Sequence, residues 1–448
     1  MFNLTVEEAM KLLGVSRTRM YQLIHSGVLA AEKVGSVWLV DDASVRARMQ
    51  SAPRAGRPSK QRMPGADIQE YILMNRNHPI LSFKYNAARN TFVEAGDIQD
   101  ASRAPLGLIS PRGKSVSRSA LAFWWAHRSI PDYRDGIDKK LGELGFAEPS
   151  QIPFKSLGLS LSDQYWIKPT FGPDISWSDV NYFENDFEEL PDSTNSTDWL
   201  AEVGLDSPDN TSEGMLSKRW VCIDGVRTLL KGGTVLGQEP YNEAIATALH
   251  TRLLSQGEFV PYRLARMGGE VVCASACFVH SDEEFIPAYY VRDVMRKPNH
   301  RNDYQHYIEC CAALGVEDAE LALSKTIVCD DIIANADRHW RNFGLIRNVE
   351  TLECRPAPIF DSGNSLWCEA TEGAVKTKNF AFRTKPFFED ANRQLRLVND
   401  YSWFNLAALD GFVEEARGIL SQNAALESRV DFICEGIQRR IDHIAKLL

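Results

Sequence analysis

Residues 335–342 read Asn-Ala-Asp-Arg-His-Trp-Arg-Asn and follow a long apolar segment. Asp337 and Asn342 stand five positions apart, and Asp361 opens an Asp-Ser-Gly triplet further on. Carboxylate, amide and carboxylate in that order suit phosphoryl transfer. The acceptor hydroxyl needs a carboxylate beside it, Mg²⁺ prefers hard oxygen ligands, and the rest is positioning and charge neutralisation. Taken alone, Asp337, His339 and Asn342 would also suit an ordinary polar loop whose side chains brace one another. Two residues upstream tip the balance. Lys231 ends a β-rich run and Glu243 lies in the first turn of the helical pattern that follows. A lysine placed there neutralises phosphates, and a glutamate placed there holds the lysine.

The elements needed to carry these residues can be read around them. Asp224-Gly225, set between Arg219–Ile223 and Val226–Lys231, predicts a two-residue β-hairpin turn. A Ser/Thr/Gly-containing loop, Asp209–Lys218, precedes the hairpin. Pro240 opens a helix near its first position, with Ile245, Ala248, Leu249 and Leu253 as the buried stripe. Leu321–Ile333 reads as a buried helix, and Phe343–Ile346 and Pro356–Phe360 read as strands flanking a turn near Asn348. Phe285–Tyr290 falls where a hinge contacting adenine would lie. Loop, strand, strand with Lys and helix with Glu is the order of a protein-kinase small lobe.

The stretch DDIIANADRHWRNFGLIRN…APIFDSG, with its Asp-Arg-His-x-x-Asn core, resembles the catalytic loop of phosphatidylinositol-kinase-like and HipA-like atypical kinases, over roughly residues 200–430. The resemblance implies a bilobal α+β kinase-like fold with ATP and Mg²⁺ as cofactors. It makes Asp337 the catalytic Asp, Asn342 and Asp361 the metal ligands, Lys231 the ATP-phosphate lysine and Glu243 its partner. His339 joins the catalytic set as a brace for the loop, since a carboxylate already fills the role of base. Thr211, Ser212 and Gly214 would bind nucleotide with Lys231. Thr211 and Gly214 fill the Ser and Gly of the family's Ser-x-x-Gly-x-Gln phosphate loop, whose Gln is replaced here. In that family a loop Ser can be autophosphorylated, which makes Thr211, Ser212 and Ser217 the candidates. A phosphate there would meet the acidic run from Pro169 to Ser217, which holds twelve Asp/Glu and no Lys or Arg, and would expel the loop.

The chain's 448 residues, 44% hydrophobic and 25% charged, suit two or three globular domains. Residues 1–62 hold ten Lys/Arg against five Asp/Glu, so the remainder carries −15 of a total charge of −10. A basic head on an acidic body points to nucleic acid at the head alone. In the head, Thr5-Val-Glu-Glu8 is a capping box, and Ala9, Leu12 and Leu13 line a short helix. Gly14 breaks that helix, and Ser16 caps a second one with Met20, Leu23 and Ile24 on its apolar side. Glu32–Val34 and Val37–Val40 then form a hairpin wing. The stretch resembles the excisionase/MerR-like winged helix-turn-helix. That implies DNA contacts from Arg17, Arg19, Tyr21, Gln22 and Lys33, with Arg19 or Gln22 reading bases and Arg17 and Lys33 meeting phosphates. A small helical interaction module is the plainer reading, and a single such unit would need dimerisation or paired sites.

The expected layout is a winged helix-turn-helix over 1–50, a basic linker over 51–66, a structural or recognition subdomain over 67–200, a kinase small lobe over 201–295 and a helical large lobe over 296–448. Short strands (YILMN, ILSFKY) and a helix over Ser119–Ile130 are expected in the subdomain, and helices from Trp403 to the end. The nine cysteines show no CxxC and read as free thiols. No membrane span or basic-then-apolar leader is evident, so the expected compartment is the cytoplasm. The functional expectation is a Ser/Thr protein kinase of toxin–antitoxin character, autoregulatory through its own DNA-binding domain, with a homodimer as a possible assembly. A nucleotide-sensing transcription regulator and a small-molecule or lipid kinase are the alternatives. An acidic body without a basic amphipathic face weighs against lipid.

Overall fold

The computed structural model describes residues 2–13, 20, 29–34, 37–51, 68–108, 116–129, 141, 146, 148–154, 156–171, 174–185, 187, 208–211, 218–234 and 236–448. They form two compact units, Met1–Ala66 and Asp67–Leu448.

In the first unit the capping box forms as its sequence predicts. The Thr5 amide donates to Glu8 Oε2 at 2.8 Å and the Glu8 amide donates to Thr5 Oγ1 at 3.3 Å, starting the helix Val6–Leu13. The wing is present as strands β2 (Ala31–Val34) and β3 (Val37–Asp41), paired Val34 to Val37. A strand not foreseen, β1 (Phe2–Thr5), pairs with β3 on its other edge, and a further helix, Asp42–Ser51, follows. Val6, Ala9, Met20, Leu29, Val40 and Val45 make the core. Leu12, expected on the apolar face, is exposed, whereas Leu13 packs on the core. Arg17, Arg19, Tyr21, Gln22 and the Gly14 turn lie outside the described residues. Lys33 is placed on β2 opposite Trp38.

The second unit begins with an antiparallel sheet in the order β6-β5-β4-β7, built from β4 (Ile68–Asn75), β5 (His78–Asn86), β6 (Thr91–Ala95) and β7 (Tyr165–Pro169). Ser117 Oγ caps the helix Arg118–Ala126 by accepting from the Ala120 amide, and Leu121, Trp124 and Trp125 of that helix join the sheet's core. This helix ends short of the expected Ile130.

The next sheet runs β10-β11-β9-β8, from β8 (Lys218–Ile223), β9 (Val226–Lys231), β10 (Arg263–Met267) and β11 (Glu270–Ala276). Asp224 and Gly225 both take positive φ, 51° and 79°, as a two-residue turn matched to strand twist requires. That turn sets the register, pairing Ile223 with Val226 and, at the far end, Lys218 with Lys231. Pro240 lies in the first turn of the helix Glu239–Leu253, whose Ile245 and Leu249 are fully buried.

A third sheet, β12-β13-β14, joins β12 (Glu283–Pro287) to the hairpin of β13 (Gly344–Asn348) and β14 (Cys354–Pro356). The second hairpin strand thus ends where Pro356–Phe360 was expected to begin. Beyond it Ile359 bridges Phe259 in parallel. The helices Asp303–Ala313, Ala319–Ile332, Phe412–Leu420 and Glu427–Ala445 share one apolar cluster with Glu239–Leu253. Gly344 is held to its type by space, because a Cβ would fall 2.1 Å from the Ile286 carbonyl oxygen. The architecture is the mixed α+β one expected.

Candidate active site

Strand β9 delivers Lys231 into the interior. Its Nζ lies 2.5 Å from Glu243 Oε1 and 2.5 Å from Asp361 Oδ1, joining three elements that sequence alone separates by up to 130 positions. The ammonium also stands over the Tyr262 ring at 5.1 Å. Burial works against charge on Lys231, but the carboxylates of Asp361 and Glu243 outweigh it and hold its pKa well above the ordinary value. Asp361 is the mirror case. Burial alone would raise its pKa, yet Lys231, then Lys218, hold it far below the usual carboxylate range. The site therefore keeps its charges at neutral pH.

Asp361 has a left-handed backbone, φ 57°, which costs a non-glycine residue on the order of 1–3 kcal/mol unless its surroundings enforce it. They do. The Asp361 amide reaches the Tyr262 hydroxyl at 3.4 Å, the Ser362 amide donates to Glu243 Oε2 at 3.1 Å, and Arg338 donates to the Phe360 carbonyl. Asn242, next to Glu243 on the same helix, donates to the Gly363 and Ser365 carbonyls at 2.7 and 2.9 Å. One helix turn thus fixes both the lysine and the segment carrying Asp361.

The 335–342 loop is built around Arg338, which is almost fully buried. Its guanidinium forks onto Asp330 at 2.8 and 2.9 Å, and donates to the Asn342 carbonyl at 2.9 Å and Ser362 Oγ at 3.1 Å. Asn335 donates to Asp330 and accepts from the Asp337 amide at 2.9 Å. Asn342 Nδ2 donates to the Asp337 carbonyl at 3.0 Å, leaving Oδ1 as its acceptor. Asp337 itself is half-exposed. Its Oδ1 accepts from Lys385 Nζ at 2.7 Å, and Oδ2 lies 3.9 Å from His339 Nε2. His339 Nδ1 takes the Arg341 amide at 3.2 Å, a bracing contact within the loop, as expected of it.

Lys231, Asp337, His339, Asn342 and Asp361 line one cavity of about 1310 Å³. That exceeds the ~300–1,000 Å³ of an ordinary small-ligand cleft and leaves room for two reactants side by side. The rings of Phe278, Phe285 and Phe360 meet at 5.0–5.8 Å on its wall, so Phe285 of the expected hinge does face it. Asn342 and Asp361 offer one amide oxygen and one carboxylate oxygen. Such a sparse hard-donor pair fits Mg²⁺, which keeps waters and phosphate oxygens in its shell. No group of three or more His, Cys, Asp or Glu suited to a metal occurs among the described residues.

Of the expected phosphate loop, the single turn Pro208–Thr211 is described, and Asp209 Oδ1 ties it to β8 by accepting from the Trp220 amide at 2.7 Å. Ser212, Gly214 and Ser217 lie outside the described residues, as does the Thr211 side chain. All nine cysteines are free thiols, and burial pushes Cys277, on the cavity wall, up to about 12.

Sequence reasoning passed over Lys218, Asp330, Arg338 and Lys385 as site residues. Lys218 was recoverable, since a two-residue turn at Asp224-Gly225 places it opposite Lys231. Asp330 and Asp331 were recoverable as acids inside an apolar helix, which need cations; Arg338 and Arg440 supply them.

Residues 4–53 match the model of a helix-turn-helix domain. The chain is similar to a chain of the Shewanella oneidensis MR-1 toxin–antitoxin complex of HipA, HipB and operator DNA. Identity there is 11% and the TM-score 0.49, over 83% of this chain and 97% of that one. It is also similar to the proinflammatory kinase CtkA of Helicobacter pylori, with 16% identity and a TM-score of 0.39, over 50% of this chain and 91% of that one. No curated protein matches the sequence. Among the described residues no helix is long and apolar enough to cross a membrane.

Proposed function

We propose that residues 67–448 form an ATP- and Mg²⁺-dependent serine/threonine protein kinase, and that the helix-turn-helix unit binds DNA and brings the kinase to its own operator. The observation that carries this reading is the buried Lys231 bridging Glu243 and Asp361 in the same cavity as Asp337 and Asn342. In this reading Lys231 meets the α/β-phosphates and the three rings of Phe278, Phe285 and Phe360 take the adenine. Mg²⁺, held by Asn342 and Asp361, would neutralise charge between the β- and γ-phosphates.

The acceptor hydroxyl lies against Asp337, whose Oδ2 takes its proton as the new P–O bond forms. The bond from the γ-phosphorus to the bridging oxygen breaks and ADP leaves with that oxygen. Asp337 is fit for this because Lys385 holds one of its oxygens and Asn335 and Asn342 fix its backbone, so the second oxygen is presented rather than sought. Thr211, Ser212 and Ser217 are the proposed self-acceptors.

The test is γ-labelled ATP with Mg²⁺ given to the purified chain and to Asp337→Ala, with label mapped by mass spectrometry and EDTA as control. Mg²⁺-dependent label on Ser or Thr, absent in the variant, is expected. ATP bound by both proteins with no label on the chain or on added lysate would overturn the kinase reading and favour a nucleotide-sensing DNA-binding regulator.

A further inference from the structure

Two basic segments of the acidic body reach the 335–342 loop, with Lys297, Arg301, Lys376, Lys378 and Arg383 paired to Asp303, Glu309, Glu372, Glu435 and Glu389. Residues 292–301 contain Arg292, Arg296, Lys297 and Arg301 against one acid, Asp293. Residues 376–396 contain six Lys/Arg against Glu389 and Asp390. The two segments meet at the catalytic loop. Phe387 packs edge-on to Trp340 at 5.4 Å and to Tyr304 at 5.2 Å, and Arg292 lies over Trp340 at 4.9 Å. The loop bearing Lys385 is anchored: Gln394, buried, donates to the Lys385 carbonyl and accepts from the Phe387 and Phe388 amides.

Of the other carboxylates lining the cavity, Asp163 and Glu284 are neutralised by Arg128 and Arg347, while Glu239 accepts from the Thr234 amide and the exposed Glu148 and Glu369 accept from Asn90 and Asn364. Arg292 has no carboxylate within salt-bridge distance among the described residues. Arg292 and the half-exposed Lys385 are therefore the cations beside the loop that an acceptor's acids would meet.

We propose that the acceptor is an acidic protein segment, with Asp or Glu flanking the reacting Ser or Thr and read by Arg292 and Lys385. This rests on the kinase reading of the same site. A peptide fits better than a nucleic acid because the nearby aromatic faces are covered. Tyr289 lies under Arg292 and Arg341 at 4.7 and 4.9 Å, and Trp340 under Arg292, Phe343 and Phe387. Covered rings offer no stacking platform for bases, while a guanidinium fork suits a carboxylate.

The experiment compares three Ser-containing peptides of equal length, flanked by Glu, by Ala or by Arg, using the full-length chain with Mg²⁺·ATP. The Glu peptide is expected to show a kcat/KM roughly tenfold above the Ala peptide, the difference residing mainly in KM and shrinking with salt. Arg292→Glu should collapse that preference and favour the Arg peptide, and Arg292→Gln, milder for folding, should reduce it. Equal or better use of the Ala or Arg peptide would overturn the inference while leaving the kinase reading intact. If no peptide is phosphorylated and the chain does not label itself, the kinase reading fails. Fluorescence polarisation of the labelled Glu and Arg peptides without nucleotide then decides the surface separately: selective binding of the Glu peptide supports it, equal binding removes it. A single-stranded oligonucleotide that binds more tightly than the Glu peptide, and displaces it, would assign the surface to nucleic acid instead.

Discussion

The two carboxylates that the proposed chemistry needs, Asp361 and Asp337, are held by opposite kinds of cation. Asp361, itself 26% exposed, is bound to an ammonium that is 2% exposed and shares it with a glutamate that is 1% exposed. Asp337 is 33% exposed, and its lysine, 50% exposed, reaches it from the surface. The first is a structural pair as much as a functional one, because stranding a buried charge is far costlier than losing an exposed pair. The second can be changed with little penalty to folding. The Lys231 end of the cleft is thus anchored in the core, and the Lys385 end is laid on its rim.

Variants sharpen that contrast, and the largest loss of stability is expected at the clamp joining the two sides. Arg338→Met leaves Asp330 buried and unpaired and frees the Phe360 carbonyl, for a loss of about 3–5 kcal/mol in denaturant unfolding. Lys231→Met should cost a comparable amount and abolish ATP binding together. A variant of unchanged stability would show that the buried triad is not the structural pair described above.

His250 offers a smaller, pH-dependent test within the same core. Burial, with a further push from Arg338, depresses its pKa to about 3, and its Nε2 has no hydrogen-bond partner among the described residues. A depressed folded pKa means that the unfolded chain takes up the proton first, so stability is lost as pH falls below about 6.5. Between pH 6.5 and 4.5 the native protein should lose on the order of 2–3 kcal/mol more than His250→Phe. Equal losses of unfolding free energy for the two proteins between these pH values, measured by denaturant titration, would contradict this. The smallest effect belongs to the rim: Lys385→Met should change unfolding free energy by less than about 1 kcal/mol, although it removes the cation from Asp337. A larger loss would mean that the rim is structural after all.

How much of this was legible in the sequence follows the same division. Lys231, Glu243 and Asp361 sit on elements announced by local signals: the Asp-Gly turn, Pro240 in the first helical turn, the apolar run before Asn335. Their meeting could be expected from order alone. Lys385 carries no such signal, because it reaches Asp337 across 48 positions from a loop without periodicity. The end of β14 was misplaced because Pro356-Ala-Pro-Ile-Phe has a strand's apolar character, while a proline cannot donate to a ladder. In the first unit, β1 was missed since Phe2–Thr5 is too short to show alternation and gains its pairing only from β3.

In the proposed reaction Asp337 acts in transfer and not in holding nucleotide or fold. The most direct test of that role is Asp337→Asn, measured for Mg²⁺·ATP affinity by calorimetry and for single-turnover transfer with labelled ATP. Nearly native affinity and unfolding free energy are expected, with transfer slowed between about 100- and 10,000-fold. Transfer at the native rate, or loss of ATP binding in step with transfer, would contradict it.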